Sequence, residues 1–389
     1  MKMKQHVIVI LSLFFFASVF AAPALGEPPK DPDKFKFGFI SCITGPAAWI
    51  HDLWAPAGEI AVEEINAAGG IFGKPMELIW EDHKSGDPKA AVSSMYKLAD
   101  MDKVPFVIVT FTPPNMAAQP ISAEKKIMQV NIGAWGPQLI GKPYLFNSRL
   151  VANVLAEGGA KVAWNKGYRR AAILHPNDTS GVTVKNYMVP LWKKWGGKIV
   201  ATETTDLGAS DFHVQLAKIR VSKPDVILNY FYSMDLGYSL KQAAELGMKQ
   251  EHYGLLWNKK LFKAAGPACK AFYFVQDYFN ADSDKPWTKK FVEAYKKRTK
   301  GTKPAMYAAN SYELTYILKE LIEEARKKGG NYYTGDNLIE ALLKIRSFET
   351  IYEDKISFRD DGSCVKSMAL YHAAEKDGAV ELVKKLSLD

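Results

Sequence analysis

Short apolar runs alternate with longer stretches in which apolar residues return every three or four positions. Residues 37–40, 76–81, 105–110 and 127–132 carry apolar side chains on both faces, which predicts strands covered on both sides. Between them, residues 56–68 set Ala57, Ile60, Ala61, Ile65 and Ala68 on one helical face and stop at Gly69-Gly70. Asp87-Pro88 supplies an N-cap and an N1 proline to a helix ending near Asp102, and another helix runs to about Lys126. The pattern pauses at 136–143 and resumes. Helices are predicted at 151–165, 182–195 and 211–222, with one more ending at Gly247; strands are predicted at 171–174, 198–204, 226–231, 253–257 and 271–278. Helices at 287–298, 307–328 and 337–344 precede strand-like alternation at 355–358 and 368–371. A strand–helix series that runs, breaks and runs again implies two α/β lobes of similar construction. Ligands of such sheets sit beyond the carboxyl ends of the strands, so facing lobes place the site in the cleft between them.

The first residues change the picture of where the chain works. Fourteen uncharged residues, 7–20, follow Lys2 and Lys4 and precede Ala22-Pro23-Ala24. This is the form of a secretory signal peptide, with a cut expected after Ala24 because Pro23 disfavours one after Ala22. The run is short for a hydrocarbon core that takes ~20 apolar residues. With no cysteine at the cut, lipid attachment is not indicated. Loss of residues 1–24 leaves 365 residues and lowers the formal charge from +9 to +7, since Lys2 and Lys4 go with them. That length suits two domains at ~100–200 residues each. The basic clusters Lys289-Lys290, Lys296-Lys297-Arg298 and Arg326-Lys327-Lys328 lie in Glu-rich helical stretches and read as solvated faces, so no nucleic-acid partner is expected.

Chemistry-bearing motifs are scarce. No GxSxG, HExxH or GxGxxG occurs, which moves weight from catalysis toward binding. The phosphate-loop lookalike Gly69-Gly70-Ile71-Phe72-Gly73-Lys74 lacks the first glycine, has Pro75 where Ser or Thr should hold magnesium, and follows a helix; it reads as a helix stop and turn. His83 beside Glu81 and Asp82 reads as a polar strand end rather than a metal site, and no metal or cofactor is expected. Cys42, Cys269 and Cys364 form no CxxC or zinc spacing. Export permits a disulfide, and a Cys269–Cys364 bridge with Cys42 left as a buried thiol is the expected arrangement.

Thr44-Gly45-Pro46, Gly58-Glu59-Ile60-Ala61-Val62, Ile65-Asn66-Ala67-Ala68-Gly69-Gly70-Ile71 and Gly73-Lys74-Pro75 stand in order. They resemble the opening of the type I periplasmic solute-binding proteins, the leucine-binding-protein-like receptors of branched-chain-amino-acid ABC importers. The resemblance continues through Glu81-Asp82, Asp87-Pro88-Lys89-Ala90-Ala91-Val92, Gln119-Pro120, Pro224-Asp225-Val226-Ile227 and Lys241-Gln242-Ala243-Ala244-Glu245-Leu246-Gly247-Met248. It implies an α/β fold of two Rossmann-like lobes with parallel central sheets, a three-crossover hinge, and ligand trapped on closure. Lobe 1 would comprise 33–148 and 278–346, and lobe 2 would comprise 149–277 and 347–389. Implied partners are a small organic ligand and the membrane permease subunits of an ABC importer, with the receptor a periplasmic monomer. An exported enzyme on the same scaffold is the alternative. A sensory domain would be followed by a membrane helix, whereas the chain stops at Asp389.

The resemblance also implies site positions. Where amino-acid-binding relatives hold the ligand carboxylate, this chain has Asn115, Gly133 and Trp135; Gly133 keeps a backbone N–H, but the hydroxyls are gone. Ser180 and the family tyrosine, Tyr232, fall on the lobe-2 side. The acid that pairs with a ligand ammonium should fall near Leu256-Trp257, and no Asp or Glu stands within three residues of that pair. A buried ammonium without a carboxylate is costly, so an α-amino acid would need Asp235 or another acid to reach in. Aromatics replace the lost polar groups: Trp49, Trp54, Phe111, Trp135, Tyr230, Tyr232 and Trp257 lie at or near cleft-facing positions. Aromatics serve core packing most often, but Trp49, Trp135 and Trp257 each sit where a strand gives way to a loop. The expected ligand is an aromatic or apolar organic acid, with a leucine-, isoleucine- or valine-like amino acid or an amide as the alternative. Helix starts aimed at the cleft would favour its negative charge.

Overall fold

The computed structural model describes residues 27–386, so the expected signal peptide lies outside the described residues. Lobe 1 is built from β1 (Phe35–Ser41), α1 (Ala48–Ala67), β2 (Met76–Asp82), α2 (Pro88–Tyr96), β3 (Phe106–Val109), α3 (Thr112–Glu124), β4 (Met128–Asn131) and β5 (Leu145–Asn147). Its sheet has the order β2-β1-β3-β4-β5 and every pairing is parallel. Lobe 2 follows with α4 (Ala152–Asn165), β6 (Arg170–Pro176), α5 (Thr179–Lys194), β7 (Lys198–Thr205), α6 (His213–Val221), β8 (Val226–Asn229), α7 (Met234–Glu245), β9 (Glu251–Gly254), the short α8 (Phe262–Ala265) and β10 (Phe272–Asp277). The chain then returns to lobe 1 through α9 (Pro286–Arg298), α10 (Met306–Ala325) and α11 (Gly335–Ile345), followed by β11 (Ser347–Phe348), β12 (Ile356–Phe358) and β13 (Cys364–Val365). It ends with β14 (Met368–Ala373) and β15 (Val380–Leu386), which add antiparallel strands to the lobe-2 sheet, order β15-β14-β10-β9-β8-β6-β7.

The two-sided apolar strands form as the sequence predicts. Phe35, Phe37 and Phe39 of β1 and Phe106 and Ile108 of β3 lie in the core. Asp87 caps α2 by accepting from Lys89 N at 2.8 Å. Pro56 does not start α1 but sits inside it. An internal proline costs ~3 kcal/mol, and full burial of Trp54 and Ala57 on either side offsets it. The glycine segment is a turn, closed by Ile71 N to Lys74 O at 2.8 Å. Gly70 has φ +72°, and a Cβ there would lie 2.2 Å from the Lys74 carbonyl oxygen.

The lobes are joined at three crossovers, the third later than expected. The β12–β13 turn stays with lobe 1, where Gly362 O accepts from Asn147 N at 2.8 Å, so the chain passes to lobe 2 at Lys366-Ser367 rather than at 346/347. The crossovers bind one another: Leu150 N to Asp277 Oδ1 at 3.2 Å, Tyr278 N to Ser367 O at 2.9 Å, and Lys366 Nζ to Ser148 O at 3.2 Å. Arg149, Asp277, Glu313 and Lys366 are all buried here. Lys366 also donates to Asn310 Oδ1 at 2.9 Å and faces Glu313 at 3.4 Å. Burial pushes the Glu313 carboxyl up to about 7 despite that ammonium.

The expected disulfide is not there. All three cysteines are buried free thiols. Cys269 Sγ donates to Ala374 O at 3.1 Å within lobe 2, while Cys364 pairs with Phe358 in the hairpin that stays with lobe 1. Among the described residues, no helix is long and apolar enough to cross a membrane.

Candidate functional site

The candidate residues lie mostly in the segments that follow the carboxyl ends of the parallel strands. In lobe 1, Phe111 follows β3 with φ +61° and ψ 145°, a conformation that costs a bulky side chain ~1–3 kcal/mol. Its ring lies 5.1 Å from His83 and 6.4 Å from Trp54. His83 Nε2 meets Thr110 Oγ1 at 2.8 Å, while its Nδ1 accepts from Gly86 N at 3.0 Å. Burial lowers the imidazole pKa to about 4, so His83 is neutral with its proton on Nε2. Asp82 is occupied by the Ile43, Thr44 and Lys84 amides and the Thr44 hydroxyl. Among the described residues, no grouping of His, Cys, Asp or Glu fits a metal ion.

Asn115 and Gly133 are spent on the frame. Asn115 Nδ2 donates to Val109 O and Phe111 O, each at 2.9 Å, and its Oδ1 accepts from Gln129 Nε2 at 2.9 Å. The Gly133 N–H, expected to be free, donates to Asn131 Oδ1 at 3.0 Å. Gly133 matters for space instead, since a Cβ would lie 2.7 Å from the Trp54 ring.

In lobe 2, Asp178 caps α5 by accepting from Gly181 N at 2.8 Å, and its other oxygen accepts the Tyr232 hydroxyl. Ser180 is half-buried in that first turn. Tyr230 is 3% exposed, and its hydroxyl has no hydrogen-bond partner among the described residues. Burial raises the phenol far above its usual range. Asp235 does not reach in: it is fully buried and accepts from Ser233 N, Ser233 Oγ, Leu236 N and Gly208 N at 2.8–3.0 Å. Trp257 is packed into the lobe-2 core against Phe272, with Nε1 donating to Gly378 O at 2.8 Å. It is not brought to the other candidates.

The lobes meet through the remaining aromatics. Trp135 lies edge-on to Tyr232 with ring centroids 6.3 Å apart, and Lys260 Nζ stands 4.3 Å over the Trp49 ring. Two residues absent from the expected set join them. The Arg149 guanidinium lies over Trp135 at 5.1 Å and over Tyr307 at 5.6 Å, and Tyr307 lies 5.6 Å from Trp54. The sequence signal was faint: Arg149 is a lone charge between Leu145-Phe146 and Leu150-Val151. A separate hollow of about 410 Å³, lined by Val154, Arg359, Met368 and Lys384 among others, includes none of these groups.

Two α/β lobes with aromatic side chains in contact between them make up this architecture. Comparisons agree with that architecture. A leucine-, isoleucine-, valine-, threonine- and alanine-binding protein of Pseudomonas aeruginosa is 24% identical over 327 residues, covering 82% of this chain and 84% of the relative. A leucine-binding protein from Thermotoga maritima has the same fold, with a TM-score of 0.78 at 22% identity over 90% of this chain and 98% of its own. A solute-binding protein of an ABC transporter from Rhodopseudomonas palustris, solved with 3,4-dihydroxybenzoic acid, gives 0.75 at 22% identity over 92% and 98%. Residues 34–379 match the profile of the periplasmic binding proteins, and the chain belongs to that family.

Proposed function

We propose that this protein is an exported receptor that captures an aromatic or apolar organic acid between its lobes and hands it, unchanged, to the permease subunits of an ABC importer. Residues 1–24 act as its signal peptide, and it works as a monomer. The observation that carries the ligand class is the aromatic contact across the cleft, Trp135 against Tyr232. Asp178 and Asp235, the acids nearest these lobe-2 walls in sequence, are filled by the chain's own donors, so neither is free to pair with a ligand ammonium. Trp49, Phe111, Trp135, Tyr230 and Tyr232 line the site, with Ser180 at its polar edge. Asn115 and Gly133 hold the shape of the lobe-1 wall, and Trp257 supports the lobe-2 wall from behind. The Rhodopseudomonas protein solved with 3,4-dihydroxybenzoic acid supports an aromatic acid on this scaffold. Closure follows from contacts available only when the lobes meet, since only differential affinity shifts the equilibrium.

The test is a thermal-shift screen of aromatic acids, aliphatic acids, amides and amino acids, followed by mass analysis of the recovered ligand. A stabilising acid recovered intact is the expected result. A chemically altered ligand would make the protein an enzyme, and stabilisation by amino acids alone would reverse the ligand class.

A further inference from the structure

Arg149 is buried on the first crossover, yet little of its donor capacity is used. Nη1 donates to Gly133 O at 3.3 Å, whereas Nε and Nη2 have no hydrogen-bond partner among the described residues. Those two N–H groups form the side edge of the guanidinium, the edge that takes a carboxylate through two parallel bonds. Its surroundings include the rings of Trp135 and Tyr307, and a cation so buried is costly unless paired and hydrogen-bonded. Asp277 is the nearby acid, but its Oδ2 lies 3.8 Å from Nε, beyond hydrogen-bond length, and its Oδ1 is taken by Leu150 N. It balances charge without filling the edge. Two more donors of this neighbourhood, Trp54 Nε1 and Trp135 Nε1, also lack hydrogen-bond partners among the described residues. Two helix starts of lobe 2, those of α5 and α7, are closed to an anion by Asp178 and Asp235.

We propose that Arg149 binds the ligand's carboxylate through its Nε/Nη2 edge, fixing the acid to the hinge itself while Trp135 and Tyr232 close on the rest of the molecule. This inference rests on the organic-acid reading above and names the group that recognises the charge. Anchoring at a crossover lets either lobe move without losing the anion. A purely structural Arg149, paired with Asp277, would instead support the hinge and be indifferent to whether the ligand is an acid or an amide.

Calorimetry on the full exported protein separates these roles by comparing each acid with its uncharged amide: benzoate with benzamide, and leucine with leucinamide. Wild type should prefer the acid of whichever pair binds. Arg149→Met should lower that acid-to-amide ratio at least tenfold while amide binding changes little. Arg149→Lys, which keeps a charge but not the planar edge, should retain part of the preference, and Asp277→Asn should keep it. If Arg149→Met does not fold, Arg149→Lys carries the comparison. An unchanged ratio in the folded variants overturns the anchor while leaving the receptor reading intact. A wild type with no acid preference in either pair also overturns it. A tenfold loss seen only for leucine keeps the anchor and removes the aromatic-acid reading.

Discussion

Replacing Trp135 with alanine should damage ligand binding far more than folding. The indole is half-buried, with one neighbour across the cleft at 6.3 Å and one cation at 5.1 Å. An edge-on aromatic pair is worth ~0.5–1.5 kcal/mol beyond its buried area, and a partly desolvated cation–π contact ~0.5–2 kcal/mol. The Tyr232 contact joins the two lobes, so its loss weakens closure as well as ligand contact. A large aromatic lost from such a clamp costs ~2–4 kcal/mol of binding, roughly a 30- to 700-fold weaker Kd at 1.4 kcal/mol per tenfold. Trp257 is the control: it is 3% exposed and bonded to Gly378 O. Trp257→Ala should cost ~3–5 kcal/mol of stability, as for buried aromatics, with affinity per folded molecule nearly unchanged. Calorimetry and thermal melts on the same two variants give both quantities. A lowered Tm with unchanged affinity for Trp135→Ala would place Trp135 in the core and refute the clamp.

The thiols give a second expectation. Burial lifts Cys42 and Cys269 to about 11 and Cys364 to about 12. The folded protein should therefore resist thiol reagents at neutral pH and release three titratable thiols on non-reducing denaturation; two missing thiols would restore a disulfide. Glu313 gives a third. Its folded pKa of about 7 exceeds the ordinary 4.5, so the folded state holds the extra proton between those values. Stability from this group is present at low pH and falls as pH rises from about 4.5 to about 7. The Tm difference between Glu313→Gln and wild type should therefore grow in favour of the variant across that window; a flat difference would contradict it. Subtraction removes the opposing contribution of neutral His83, whose lowered pKa costs stability as pH falls.

Most of the fold was legible because two-sided apolar strands and one-sided helices are local patterns. The failures have local causes as well. The α5 helix begins at Thr179, before its apolar periodicity, because Asp178 caps two polar residues into the first turn. The three-residue β5 is too short to carry a pattern. The first six residues of β15 are exposed at a sheet edge, so no burial rule marked it. Pro56 looked like a helix start because the packing that extends α1 beyond it comes from other elements. The site was less legible. The aromatics of the proposed cleft were visible as residues after strands, but Trp257 occupies the same kind of position and turns into the core. Arg149 was missed because its setting is assembled from segments far apart: Gly133, Asp277 and Tyr307 meet it only once the crossovers converge.

The central claim is that this cleft selects an organic acid by aromatic walls rather than an α-amino acid by an ammonium partner. Direct calorimetric titration of wild type with benzoate, 3,4-dihydroxybenzoate, leucine, isoleucine and valine tests it in one experiment. The account predicts tighter binding of at least one aromatic acid than of any of the three amino acids. Micromolar binding of leucine with no heat from either aromatic acid would contradict it.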